Sequence, residues 1–457
     1  MKLLYIVLLC YLGSASLLMA AEVYPIYLRD FSLPLNEFDY YVEEVIDVRD
    51  VDNYIGFVRK GLGDRKVPAT LGERSVEEEL KALFARSFPA GNEKTSLIVR
   101  VNKLLIYEVI YAAKAYAFAE VNLSFLARNG DVYRELYETG TMITKPGLEV
   151  TGSHEKNIIQ ALDHCFRQFR AYASAGEMQA LTVPADELRL NPIGKRHYPI
   201  ETATEYPKGV YHTLSDFRNN TPDVTVDFTV NYKKQKKEET LEAVPDFENS
   251  KVNAAEIWGI SDGKQIFINA QGSFHALRKE GNDFLVQAPS LSTGVGSAVL
   301  GGMLGGAIGG LLLSAFDNSP GKEMTYKIDF TTGAIAPLKE PNYKRIEART
   351  VIYFTSFAKE GAQIKVLVNG EERCTLQPSE YYMLRTKPSQ TNLDICIVAN
   401  GEQACQQITP ELIETNAYLC RLEKKGTPAI ETTSANTLQT IQEKIREGKA
   451  IEVCVSK

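Results

Sequence analysis

From Phe284 to Phe316 the chain carries no charged side chain. Within that run glycine recurs every fourth residue in two registers, at Gly301, Gly305 and Gly309 and at Gly302, Gly306 and Gly310. No other stretch restricts the possible folds so tightly. In water each interior glycine costs a helix about 1 kcal/mol relative to alanine, so a soluble helix here would be very poor. In a bilayer the competing hydration of the backbone is gone, and the glycine registers form a flat stripe that a second backbone can approach closely. Residues 293–316 number 24, and roughly 20 helical residues cross a bilayer core. The segment is therefore read as a membrane segment, either a single span or a re-entrant hairpin, with a buried glycine-rich loop as the alternative. Basic residues on both flanks (Arg278 and Lys279, Lys322 and Lys327) leave its direction undecided.

The N-terminus reads as an address. Lys2, the apolar run Leu3 to Leu12 and the small residues up to Ala20-Ala21 match a secretory signal peptide over residues 1–21. Cys10 follows Leu9 inside the apolar run, so a lipid-attachment signal is missing. An exported chain can oxidise its remaining cysteines. Asn400-Gly401 is a strong two-residue hairpin turn. Counting outward from it opposes Cys396 and Cys405 on a non-hydrogen-bonded rung, where side chains lie closest. A Cys396–Cys405 disulfide is predicted, and the pairing of Cys374, Cys420 and Cys454 is left open. Cys165 shares a helical face with Ile158, Ile159, Leu162, Phe166 and Phe169, and reads as a core thiol.

The chain has 457 residues, which suggests about three domains. The fold class read from the pattern is α+β. Residues 22–185 show a strand over Tyr40–Val51 and a looser region to Pro68. A helix at 75–88 follows, with Ser75 and Glu78 in capping-box spacing. Strands come next at Leu97–Val109, Ala115–Ala127 and Val132–Thr141, and a helix at 155–172 closes the unit. This order predicts an antiparallel sheet with two helices on one face. Residues 186–345 read as a mainly-β domain holding the glycine-rich segment, its strands at Val224–Val230, Glu256–Ile260, Gln265–Asn269, Phe284–Gln287 and Met324–Phe330. Residues 346–457 read as a β-sandwich-like domain with a terminal helix around Thr437–Glu447.

Asp47-Val48-Arg49, Ile55-Gly56, the first helix, the alanine-rich strand and the closing Gln160–Phe169 helix resemble the YajG-type bacterial envelope lipoproteins. The resemblance implies that Asp47, Arg49 and Gly56 occupy that family's Asp-x-Arg and glycine positions, and an accessory role in envelope transport. The missing lipid-attachment cysteine departs from it. Bottom-up, an acid and a base two apart on a strand read as a structural ion pair. The stretch Lys208 to Pro222 resembles a motif of uncharacterised exported proteins of the Bacteroidota type, which implies no activity. The Val368-Asn369-Gly370 hairpin and the later Tyr381-Tyr382-Met383-Leu384 resemble a small exported β-sandwich family of unknown function.

Chemistry is sparse. The balance of 51 basic and 58 acidic residues, with no basic stripe, excludes nucleic acid as a partner. The run Lys233 to Glu239 reads as a solvated loop. Gly259-Ile260-Ser261-Asp262-Gly263 matches the nucleophile-elbow pattern, but Lys264 to Asn269 alternates like a strand where that chemistry requires a helix. The five histidines and seven cysteines show no metal-ligand spacing, so no metal or cofactor is expected. His212 lies near Asp216 as a local contact. The resulting expectation is a non-catalytic exported envelope protein, a membrane-associated scaffold or accessory component of a transport or assembly complex. Its partners would be membrane lipid and an envelope protein or a second copy. The alternatives are a soluble periplasmic or surface module binding carbohydrate or peptide and, remotely, a serine hydrolase using Ser261.

Overall fold

The computed structural model describes residues 23–289, 323–337 and 348–453, apart from short interruptions within these spans. Residues 1–21, expected to be a signal peptide, and the glycine-rich segment 293–316 lie outside the described residues. The described residues are mostly β, in four sheets.

The first sheet is built from β1 (Tyr24–Ile26), β2 (Tyr40–Asp47), β3 (Tyr54–Lys60), β4 (Arg65–Leu71), β5 (Thr95–Tyr111), β6 (Lys114–Asn129), β7 (Val132–Gly147) and β8 (Leu181–Val183). Helix α1 (Val76–Ser87) precedes β5 and α2 (His154–Ser174) follows β7. The strand order is β1-β4-β3-β5-β6-β7-β8, with β2 beside the first half of β5. The sheet is mixed, and the antiparallel expectation holds for β3–β4 and for β5 through β8, whereas β1–β4, β2–β5 and β3–β5 run parallel. Parallel neighbours need a crossover connection, and β3, β4 and α1 together supply it between β2 and β5. The region read as loose up to Pro68 is the hairpin β3–β4. Pro68 is tolerated because β4 has only β3 as a partner at that point, β1 pairing from Ala69 onward.

Ser75 and Glu78 close α1 with a reciprocal capping box. Its Leu80, Leu83 and Phe84 enter one core with Leu162, Cys165 and Phe166 of α2 and with Val121, Leu123 and Phe125 of β6. The Phe125 and Phe169 rings stack at 4.5 Å. Burial pushes the Cys165 thiol well up, as befits a core thiol. Asp47, Arg49 and Gly56 are brought together structurally. Arg49 grips Asp47 through Nε at 2.8 Å and Nη2 at 2.7 Å, and Nη1 donates to the carbonyls of Tyr54 and Leu104. Gly56 faces Ile106 where β3 meets β5, at φ +131°, and a β-carbon there would stand 1.8 Å from the Ile106 carbonyl oxygen. The trio fastens β3 to β5.

The second sheet comprises β9 (Gly209–Tyr211), β10 (Thr229–Lys234), β11 (Leu241–Asp246), β12 (Gly259–Ser261), β13 (Ile266–Ala270), β14 (Ser273–Glu280), β15 (Asp283–Pro289), β16 (Glu323–Ile328) and β17 (Ile335–Pro337). Two short helices accompany it, α3 (Pro199–Thr202) and α4 (Leu214–Asn219). Strands run in the order β17-β16-β15-β14-β13-β12-β9, with β11 added to β14 and β10 to β11. The strand expected from Val224 starts only at Thr229. The Asp223 carboxylate accepts from the Thr225 N–H and hydroxyl, and this side-chain turn competes with extension. Phe217 of α4 fills the core between Trp258 and Phe284, at ring distances of 4.3 and 5.2 Å.

The last two sheets are β25-β24-β18-β21-β26 and β20-β19-β22-β23. Their strands are β18 (Ala348–Phe354), β19 (Ile364–Val368), β20 (Glu371–Leu376), β21 (Glu380–Thr386), β22 (Leu393–Ala399), β23 (Glu402–Ile408), β24 (Thr415–Leu422), β25 (Pro428–Thr432) and β26 (Ile451–Glu452). Both sheets contribute to one core, through Ile352, Phe354 and Cys420 from one and Val366, Ile395 and Ile397 from the other. Of the expected terminal helix, Thr440, Ile441 and Lys444 are described and helical.

Candidate functional site: a buried charged seam

Strand β6 alternates. Ala119, Val121, Leu123 and Phe125 face the helices, and Glu120, Asn122 and Ser124 face the other way. In a mainly antiparallel sheet such a polar face ordinarily meets water. Here all three polar residues are 0 % exposed. The strap 184–208 that leads from β8 to β9, and the loop after β16, lie across them.

The contacts are specific. Asn122 Nδ2 donates to the Thr331 carbonyl at 2.7 Å and Asn102 Nδ2 donates to Asn122 Oδ1 and Ser124 Oγ, both at 2.8 Å. The loop presses so closely that a β-carbon at Gly140 would stand 2.1 Å from the Thr331 oxygen. Lys103 Nζ lies 2.6 Å from Glu120 and 3.5 Å from Asp329 of the loop. Glu135 is shared by Arg100 from β5 and by Arg196 of the strap, the latter at 2.6 Å. Glu138 is shared by Arg196 and by Arg218 of α4, at 3.4 Å from Arg218. Arg218 also donates to the carbonyls of Phe330 and Thr331, and its guanidinium lies 4.8 Å from the Tyr198 ring centre.

Arg100, Lys103, Arg196 and Arg218 balance Glu120, Glu135, Glu138 and Asp329. Burial alone would raise the Glu138 pKa, but Arg218 and Arg196 outweigh it and hold the carboxyl below its ordinary range. Burial lowers that of Arg100, against the pull of Glu135. A buried, balanced ion network adds little net stability, yet removing one partner is costly because the other charge is stranded. Such an arrangement selects one register when the two sheets are in contact.

Apart from Arg218, inside the Lys208–Pro222 stretch, none of these residues belongs to a motif of the sequence. The available signal was the polar alternation of β6, which looks like a solvent face until the second sheet covers it.

The residues that were singled out are placed as follows. Cys396 and Cys405 face each other across β22–β23 and are bonded, with Cα atoms 4.0 Å apart. Asn400 and Gly401 form the turn at φ +52° and +81°. Cys374 is also disulfide-bonded, and Cys420 is a buried free thiol. Gly301, Gly302, Gly305, Gly306, Gly309 and Gly310 lie outside the described residues. Ser261 ends β12 and is 0 % exposed; its hydroxyl donates to the Tyr206 carbonyl and accepts from the Gly263 N–H, both at 3.1 Å. Strand β13 follows it, so the serine has no elbow geometry. His212 pairs with Asp223 at 3.2 Å, and it also lies close enough to Asp216, the capping partner of Thr213 on α4, to interact with that carboxylate. Lys233 and Lys234 end β10, and the rest of that charge run lies outside the described residues. Among the described residues no three His, Cys, Asp or Glu side chains stand together to hold a metal, and no helix is long and apolar enough to cross a membrane.

Comparison with known proteins adds one finding. No curated protein and no solved structure matches the chain. The model of a family of unknown function, DUF6563, matches residues 209–360, a span that takes in the whole second sheet and runs through β18.

Proposed function

We propose that the protein is a non-catalytic, exported scaffold of a bacterial envelope, resting on a membrane through residues 293–316 as a re-entrant hairpin. The observation that carries this reading is the pairing of β15 with β16 up to Pro289 opposite Glu323. The two ends of the intervening segment are therefore neighbours in the sheet. A single crossing would have to pull those strands apart. Two helical arms of about 12 residues would each reach ~18 Å, which dips into a hydrocarbon core of ~30 Å and comes back. The reading of a carbohydrate- or peptide-binding module loses support from the tyrosines. Among the described residues Tyr232 is the one exposed large aromatic, and its hydroxyl is engaged by Asp262.

Fractionation of the full chain with alkaline extraction tests the proposal, beside a deletion of residues 293–316. The full chain should stay in the membrane pellet and the deletion should not. Ser290→Cys and Lys322→Cys should both be labelled by an impermeant maleimide from the same side. A full-length protein released without detergent, or labelling from opposite sides, refutes it.

A further inference from the structure

The seam joins two bodies that each own a core. One is built on β5, β6 and the long helices, the other on Phe217, Trp258 and Phe284. What lies between them is polar. Were this contact permanently dry, apolar side chains would hold it at least as well, since replacing buried ion pairs by packed hydrophobic residues is often neutral or stabilising. The closed seam is also imperfect: Arg100 Nε, Asn102 Oδ1 and Arg218 Nε are buried and find no protein partner among the described residues. Each unmade bond penalises the closed state, and water would satisfy all three. Polar contacts between bodies of one chain carry relative motion as the default.

We propose that the seam is an openable joint, in which the body 209–337 lifts off the β5–β7 face while both cores stay intact. The hinge can be placed. Asn191 Nδ2 donates to the Asn102 carbonyl, so the strap is fastened to the first body as far as residue 191. Tyr198 stacks on Phe330 at 5.5 Å and Ile200 enters the second core, so from residue 198 onward the strap packs with the second body, the Tyr198 hydroxyl reaching Glu138 across the seam at 3.3 Å. Pro192-Ile193-Gly194-Lys195-Arg196-His197 lies between, with Gly194 at φ +75° and nothing near its α-carbon for a side chain to meet. Arg196 is the latch of this hinge. Its side chain is 20 % exposed, against 3 % for Arg100 and for Arg218. When it leaves, Glu135 keeps Arg100 and Glu138 keeps Asn122.

The test uses the full chain carrying the near-isosteric Ser124→Cys, which places a thiol beneath the strap. The thiol is labelled with a small maleimide in native buffer and the products are mapped by peptide mass spectrometry. Cys165, in the first core, reports exposure by unfolding. The introduced thiol should react at least about tenfold faster than Cys165, with a shallower urea dependence below the unfolding transition, since lifting the body exposes less surface than unfolding it. Arg196→Ala should raise that rate further and leave Cys165 unchanged. Equal rates with equal urea dependence at both thiols overturn the joint, and an unchanged rate in Arg196→Ala overturns the latch. A second measurement needs no substitution. Trypsin should cut the native wild-type chain after Lys195 or Arg196 and leave two folded products, and resistance there up to global unfolding also overturns the proposal.

Discussion

Replacing Gly56 by alanine adds one methyl group at the place where β3 meets β5. Its carbon would stand 1.8 Å from the Ile106 oxygen, 2.8 Å from the Ile106 carbonyl carbon and 2.9 Å from its nitrogen. All three are backbone atoms of a strand held by β6 along its length, so the obstacle cannot rotate away. The residue also sits at φ +131°, which side chains rarely adopt. Backbone strain of about 1–3 kcal/mol and overpacking of about 1–3 kcal/mol act together, giving an expected loss of about 4 kcal/mol. Relief would require β3 to back away, which breaks the Arg49 bonds to the Tyr54 and Leu104 carbonyls. Gly130→Ala is the control. That glycine turns β6 into β7 at φ +63° with nothing within 4 Å of the added carbon, so only the left-handed backbone penalty of about 1 kcal/mol applies. Urea unfolding followed by far-ultraviolet circular dichroism measures both variants. If Gly56→Ala costs no more than Gly130→Ala, the clash argument is wrong.

Arg218→Ala strips Glu138 of one arginine, removes the Arg218 donor from the Phe330 carbonyl and leaves the Thr331 carbonyl with Asn122 alone. A loss of about 3 kcal/mol is expected, seen as an earlier first transition in urea, and an unchanged midpoint counts against the seam. His164 gives a pH signature. Burial, opposed by the nearby Asp163 carboxylate, pushes its imidazole down to about 4, whereas the unfolded chain takes up that proton near 6.5. Its contribution is full above pH 6.5 and is lost as the pH falls toward 4, by about 3 kcal/mol at the acid end. His164→Gln should shrink the stability difference between pH 7.5 and 4.5, and an identical difference would exclude the residue. Serine at both Cys396 and Cys405 should cost about 2 kcal/mol, since the bond closes only a short loop. The paired hairpin should survive, and loss of the native circular dichroism spectrum would contradict this.

What could be read from the chain alone was local. The turn at Asn400-Gly401 sets a two-residue count, and that count places Cys396 opposite Cys405 with no further information. The capping box of Ser75 and Glu78 and the apolar face of α2 are likewise decided within a few residues, because hydrogen-bond geometry and helical period act at short range. The parallel placement of β2 against β5 depended on a crossover that passes through a hairpin disguised by Pro68 and glycines. The seam was beyond reach for a different reason. A polar strand face has the same sequence pattern whether water or another sheet covers it. Only tertiary packing brought Thr331, Arg196 and Arg218 onto Asn122, Glu135 and Glu138, from positions distant in the chain. Periodicity reports which face is polar. What lies against that face is settled by which other surface of the molecule offers opposite charge at hydrogen-bond distance.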